Sequence, residues 1–216
     1  RAVLQLVEEG AIEKDRLLPQ ALAAHAGAQG KAGSGYDVAS CCYGGLMSWV
    51  PSSGGIQQHE WPESLHIVAA YSGQSARTSD FLARLDGLRA RNAKALDLEL
   101  SWLNEPVRGL ERAIADNRVD DMAQLMGECH ARLRVWDSRH NLGIVTAGIA
   151  EMLKVAAEMG VAAKISGAGG GDSIYALGSD LKLLETLSEK WAVAGFSCVP
   201  ISLNNSGVQQ KDNASA

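Results

Sequence analysis

Ala162-Ala163-Lys164-Ile165-Ser166-Gly167-Ala168-Gly169-Gly170-Gly171-Asp172-Ser173-Ile174-Tyr175-Ala176-Leu177 is the stretch on which the reading of the fold turns. Ala162 to Ile165 reads as a strand, and so does Ile174 to Leu177. Between them, the seven residues from Ser166 to Asp172 include four glycines. Such a backbone can turn several N–H groups inward, and that concavity binds an anion, typically a phosphate. A plain tight hairpin would use the same glycines. Lys164 on one side and Asp172 on the other shift the weight toward the anion. The run is neither a Walker A loop, because no Gly-Lys-Ser/Thr follows, nor the G-x-G-x-x-G dinucleotide fingerprint.

Working outward, Asp180 caps a helix with Leu181, Leu184, Leu187 and Trp191 inward, and Phe196 to Leu203 reads as a last strand. Upstream, Leu65 to Tyr71 is a strand, and Ser79 to Gly160 is almost wholly helical. Within that stretch Glu105-Pro106 offers a helix restart. Asp120 and Thr146 read as caps, and Gly160 as a C-terminal stop. Strands and helices in this order predict an antiparallel sheet with helices on one face, an α+β domain.

Before Trp61-Pro62 the pattern changes. Residues 1–9 read as the end of a helix. Asp15 is placed to cap a second helix carrying Leu17, Leu18, Ala21 and Leu22. A third, of small residues, spans Tyr36 to Tyr43, and Leu46 to Val50 is a strand followed by a turn. The division expected is residues 1–62, residues 63–203 and a disordered polar tail, 204–216.

The third helix is preceded by Gly30-Lys31-Ala32-Gly33-Ser34-Gly35. Ser34 is placed to cap it, and a helix N-terminus attracts phosphate. Asp37 falls in the first turn, where a carboxylate is favoured by the dipole alone. It is also where a carboxylate could orient an attacking oxygen in phosphoryl transfer. The two glycine loops are expected to face each other across a phosphate site. His25, at a helix end near the loop, reads first as a hydrogen-bonded structural residue.

Composition narrows the classes. The chain has 216 residues, a net charge of −5 with both signs mixed, and 46% hydrophobic residues. No basic stripe marks a nucleic-acid partner. No signal peptide or long apolar run marks export or a membrane span. The four cysteines, at 41, 42, 129 and 198, lack zinc or disulfide spacing, which predicts reduced thiols and a cytoplasmic protein.

Gly33-Ser34-Gly35-Tyr36-Asp37-Val38-Ala39-Ser40, with Tyr43-Gly44, closely resembles the Gly-Ser-Gly-Phe-Asp-Val segment of phosphomevalonate kinases. Lys164 to Asp172 resembles the third motif of the same family, a branch of the GHMP kinases (galacto-, homoserine, mevalonate and phosphomevalonate kinases). Tyr71 to Thr78 and Leu142 to Thr146 fall where that family has similar runs. The resemblance implies a GHMP-kinase-like fold: part of an N-terminal domain, then a ferredoxin-like antiparallel sheet with helices. It implies ATP-dependent phosphorylation of phosphomevalonate to diphosphomevalonate, with Mg²⁺. By motif match, Asp37 and Lys31 would be catalytic. Gly167, Ala168, Gly169, Gly170 and Gly171 would line the phosphate site. Ser34, Gly35, Arg77 and Lys164 would contact substrate. No metal ligand is assigned, because Ala21 to Gly30 lacks an acidic residue. Arg77 stands where a small hydroxyl residue is expected. The family's ATP loop would lie before Arg1, so the chain is expected to be a C-terminal portion, inactive alone. Another GHMP kinase, acting on mevalonate or homoserine, the related decarboxylase, or a non-catalytic binding module of the same fold are the alternatives.

Overall fold

A computed structural model describes residues 13–29, 33–74, 78–167 and 169–209. The chain divides into two compact units, Arg1–Trp61 with Ser202–Ala216, and Pro62–Ile201.

The first unit holds α1 (Lys14–Gln29), α2 (Tyr36–Tyr43), β1 (Leu46–Val50) and β2 (Gly55–His59). Pro19 is the sixth residue of α1, so the Asp15 carbonyl lacks the helical donor that residue 19 would otherwise supply. The helix starts at Lys14, so Asp15 lies within the first turn and not at the cap, and it accepts the Tyr43 hydroxyl. The core is Leu18, Ala39 and Cys42, with Leu17, Ala21, Leu22, Met47, Trp49 and Ile56 packed around it. β2 pairs antiparallel with β1, from Leu46↔His59 to Val50↔Gly55. Its sequence, Gly-Ile-Gln-Gln-His, carries no apolar alternation; backbone pairing with β1, with Ile56 against the core, holds it as a strand.

The end of the chain joins this unit. Gly45 N donates to Asn204 O at 2.7 Å, and Val208 N to Cys42 O at 3.2 Å. Lys14 Nζ donates to Ser206 O at 2.6 Å. The Asn204 side chain accepts from Ser206 N and Gly207 N. The segment expected to be a disordered tail from 204 is therefore seated as far as residue 209. Val208 N meets one of the carbonyls that the end of α2 leaves without a helical partner, and the segment's own carbonyls at Asn204 and Ser206 accept from Gly45 and Lys14. Residues 210–216 lie outside the described residues, as does the expected helix over 1–9.

The second unit runs β3 (His66–Tyr71), α3 (Thr78–Ala115), α4 (Val119–His140), α5 (Ala147–Glu158), β4 (Ala163–Ile165), β5 (Ser173–Gly178), α6 (Leu181–Val193) and β6 (Ser197–Val199). The sheet order is β4-β5-β3-β6, every pair antiparallel. That is the ferredoxin-like arrangement within an α+β class. Ile165, Ile174, Ala70 and Cys198 form one cross-strand row. They join a core with Met152, Leu184, Leu187 and Trp191 from α5 and α6.

Thr146 and Asp180 cap α5 and α6 through Ile149 N and Leu183 N, as the sequence predicts. Asp120 is not a cap; it lies in the first turn of α4 and accepts the Ser179 hydroxyl at 2.9 Å. β6 stops at Val199 because Pro200 has no N–H for the ladder. The helix restart expected at Glu105-Pro106 is absent; α3 runs through it. Pro106 leaves the Trp102 carbonyl without its helical donor. Arg132 of α4 supplies that donor, pairs with Glu105 and Glu128 at 2.6 Å each, and stacks 5.2 Å from the Trp102 ring centroid. The break comes instead at Asn92, at φ −160° and ψ 89°. Its side-chain oxygen accepts from Ala95 N at 3.0 Å, capping the second segment.

Candidate active site

One of the two motifs lies in each unit. In the first unit the cap of α2 is Gly35, at φ 69°, and not Ser34. A Cβ on Gly35 would lie 2.4 Å from Leu22 Cδ2 and push that side chain aside, and the positive φ itself favours glycine there. The Ser34 carbonyl is held by the Trp49 indole N–H at 2.8 Å. No side chain caps the helix. The anion-favouring end of the helix dipole is thus left to solvent or ligand.

Asp37 sits in that first turn, half-exposed, with Oδ2 3.5 Å from His25 Nε2 of α1. His25 therefore partners the predicted catalytic carboxylate. Its spacing in sequence could not show this, because the pairing depends on how α1 crosses α2. Lys31 lies outside the described residues.

In the second unit the glycine loop closes the β4–β5 hairpin, Ser166 N donating to Ser173 O at 2.9 Å. Gly169, Gly170, Gly171 and Asp172 all have positive φ, at 78°, 76°, 139° and 59°. Two clamps hold the loop. Gly170 N donates to Ile144 O at 2.7 Å on one side. On the other, Asp172 N donates to Gln74 O at 2.5 Å and Ser72 N to Asp172 O at 2.8 Å. Gly167, Gly169 and Gly171 are left with N–H groups that meet no acceptor among the described residues. Neighbouring backbone N–H groups left without acceptors are able to take an anion. Ala168 lies outside the described residues, as does Arg77.

Lys164 is placed differently from a loop contact. It is half-buried on β4, where its ammonium donates to Ile165 O at 2.9 Å and lies 5.9 Å from the Tyr175 ring centroid. Burial holds its pKa below the usual lysine value, with Cys129 acting the other way. Across from it on α4, His130 is pushed down to about 4 by burial, with Lys164 and Arg134 adding to the shift. A cavity of about 440 Å³ between α4 and α5 is lined by His130, Arg134, Val145, Leu153, Lys154 and Val161. It contains none of the predicted site residues.

Asp137, unremarked in the sequence, is buried near the end of α4 and accepts from Ile144 N and Val145 N at 2.9 Å each. One signal was available: an aspartate at helical spacing from the apolar residues Met122, Met126, Cys129 and Leu133, five residues before Leu142-Gly143.

Residues 110–196 match the family model described as GHMP kinases C terminal. Similar solved structures include a Lin0012 protein from Listeria innocua, 22% identical with a TM-score of 0.80 over 89% of this chain and 60% of that one. The L. major mevalonate kinase in complex with R-mevalonate is 17% identical, with a TM-score of 0.71 over 84% of this chain and 55% of that one. The Streptococcus pneumoniae phosphomevalonate kinase in complex with phosphomevalonate and AMPPNP is 19% identical, with a TM-score of 0.70 over 92% and 63%. No curated protein matches the sequence. The fold is GHMP-kinase-like, and the chain spans 55–63% of the length of these three structures. No helix of the described residues is long and apolar enough to cross a membrane.

The N–H groups of Gly167, Gly169 and Gly171 are of the kind that donates to phosphate oxygens, while Gly169 and Gly171 themselves pack against Ile144 and Gln74. No group of three or more His, Cys, Asp or Glu converges among the described residues. Mg²⁺ is commonly held by substrate phosphates with one or two carboxylates, which needs no such cluster.

Proposed function

We propose that this chain serves ATP-dependent phosphorylation of a small phosphorylated acid, phosphomevalonate, in a GHMP-type kinase. The observation that carries the reading is the loop from Ser166 to Asp172, where the N–H groups of Gly167, Gly169 and Gly171 meet no acceptor among the described residues and the backbone is clamped on both sides.

Phosphoryl transfer is dominated by positioning and charge stabilisation. The N–H groups of Gly167, Gly169 and Gly171 bind phosphate oxygens, and Ala168 belongs to the same loop. Asp37 orients the acceptor, His25 steadies its carboxylate, and Lys31 offsets charge. An acceptor that is itself a phosphate is already ionised, so proton removal is the smaller demand. Ser34, Gly35 and Arg77 contact the acceptor, and Lys164 acts at the base of the loop through β4. When bound, Mg²⁺ neutralises charge on the nucleotide phosphates.

ADP formation by the complete gene product, with phosphomevalonate, mevalonate and homoserine in parallel, tests the reading. Turnover should depend on phosphomevalonate. Preference for mevalonate or homoserine transfers the assignment to that kinase class, and no turnover with any of the three overturns it. Asp37→Asn should lower kcat at least about tenfold with an unchanged circular dichroism spectrum; an unaltered kcat removes Asp37 from the mechanism.

A further inference from the structure

Asp137 is the one charged residue that is buried among the described residues, at 7% exposure. A buried carboxylate is costly unless its oxygens are satisfied. No cation pairs with it among the described residues. Both oxygens instead take backbone N–H groups, Oδ1 from Ile144 and Oδ2 from Val145. The charge is spent on orienting two successive peptides of one turn.

That turn is otherwise unusual. Asn141 ends α4 at φ 51°, with its N–H on the Asp137 carbonyl, and Gly143 follows at φ 74°. The peptides that Asp137 fixes aim the Ile144 carbonyl at Gly170 N. Contact there is close: a Cβ on Gly169 would lie 2.3 Å from Ile144 Cγ2 and 2.9 Å from Ile144 O. A continuous path therefore runs from the Asp137 carboxylate through Ile144 to the centre of the glycine loop. By committing the Gly170 N–H, it sets the orientation of the flanking peptides, whose N–H groups at Gly169 and Gly171 meet no acceptor among the described residues.

We propose that Asp137 is a positioning residue for anion binding by the loop Ser166–Asp172, acting through the Ile144 carbonyl. This rests on the reading of that loop as a phosphate site. A residue that merely closed the end of α4 would affect stability and leave the folded protein's anion affinity alone.

The test uses the complete protein and pyrophosphate as probe. Asp137→Asn keeps the size of the side chain but turns an amide NH₂ toward one of the two peptide N–H groups. Pyrophosphate affinity should fall at least about tenfold, and exchange of the Gly170 amide should accelerate. Asn92→Ala, which removes a cap in α3 and touches neither the turn nor the loop, should lower the melting temperature and leave pyrophosphate affinity unchanged. Wild-type affinity in Asp137→Asn overturns the inference while leaving the phosphate reading intact. A wild type that does not bind pyrophosphate overturns the phosphate reading, and the inference with it. Should the variant not fold, wild-type hydrogen exchange decides. The Gly170 amide should be protected without ligand, and the Gly169 and Gly171 amides only once pyrophosphate is added; fast exchange at Gly170 overturns the inference.

Discussion

At the scale of single residues, glycine chemistry governs both motifs, but for different reasons at different positions. Gly160 has φ 71° with open space around it, so a side chain there meets only backbone strain. Gly169 has φ 78° and Ile144 against it as well. A non-glycine residue in the left-handed region costs about 1–2 kcal/mol before any collision. Gly169→Ala should therefore destabilise the protein by more than about 2 kcal/mol and weaken pyrophosphate binding. Gly178→Ala, where nothing lies within 4 Å, should be neutral in thermal melts and titration alike. Equal effects of the two substitutions would mean that the loop tolerates displacement. The glycine run itself was plain in the sequence. Which of its N–H groups are spent and which are free was not, because that depends on carbonyls at Ile144 and Gln74, far away along the chain.

At the scale of elements, apolar periodicity marked the helices, while side-chain partners set their limits. Glu105-Pro106 looked like a restart because proline removes a helical hydrogen bond. The orphaned Trp102 carbonyl finds Arg132 on another helix, so α3 continues. Asn92 lies within the stretch read as almost wholly helical, yet its side chain caps the segment that follows the break. Asn92→Ala should cost about 1 kcal/mol in denaturant unfolding, and Asn92→Asp should retain most of that stability. A null effect for Asn92→Ala would show that packing alone shapes the kink. β2 and the seated residues 204–209 escaped the reading for one reason: backbone hydrogen bonds to a partner hold them, and no apolar pattern announces such bonds.

For the whole molecule, acid sensitivity follows from His130. Its folded pKa, about 4, lies below the ordinary value of 6.5, so between those limits the unfolded chain binds more protons. Its contribution is complete above pH 6.5 and is lost as pH falls toward 4. At about 1.4 kcal/mol per pKa unit, the loss from pH 7 to pH 5 is on the order of 2 kcal/mol. His130→Leu should flatten the fall in melting temperature over that range, and an equally steep fall would assign the acid sensitivity to other groups. The antiparallel α+β architecture was legible because strand, glycine loop and helix follow one another with clear apolar spacing. The first-turn position of Asp37 and the glycine turn between β4 and β5 were legible because helix starts and glycine clusters are marked locally in the sequence. His25 beside Asp37, Asp137 beneath the loop and Arg132 across from Pro106 were decided only by the tertiary structure. Each is a polar group satisfied by a partner that folding brings in from another element, and sequence spacing does not encode that distance.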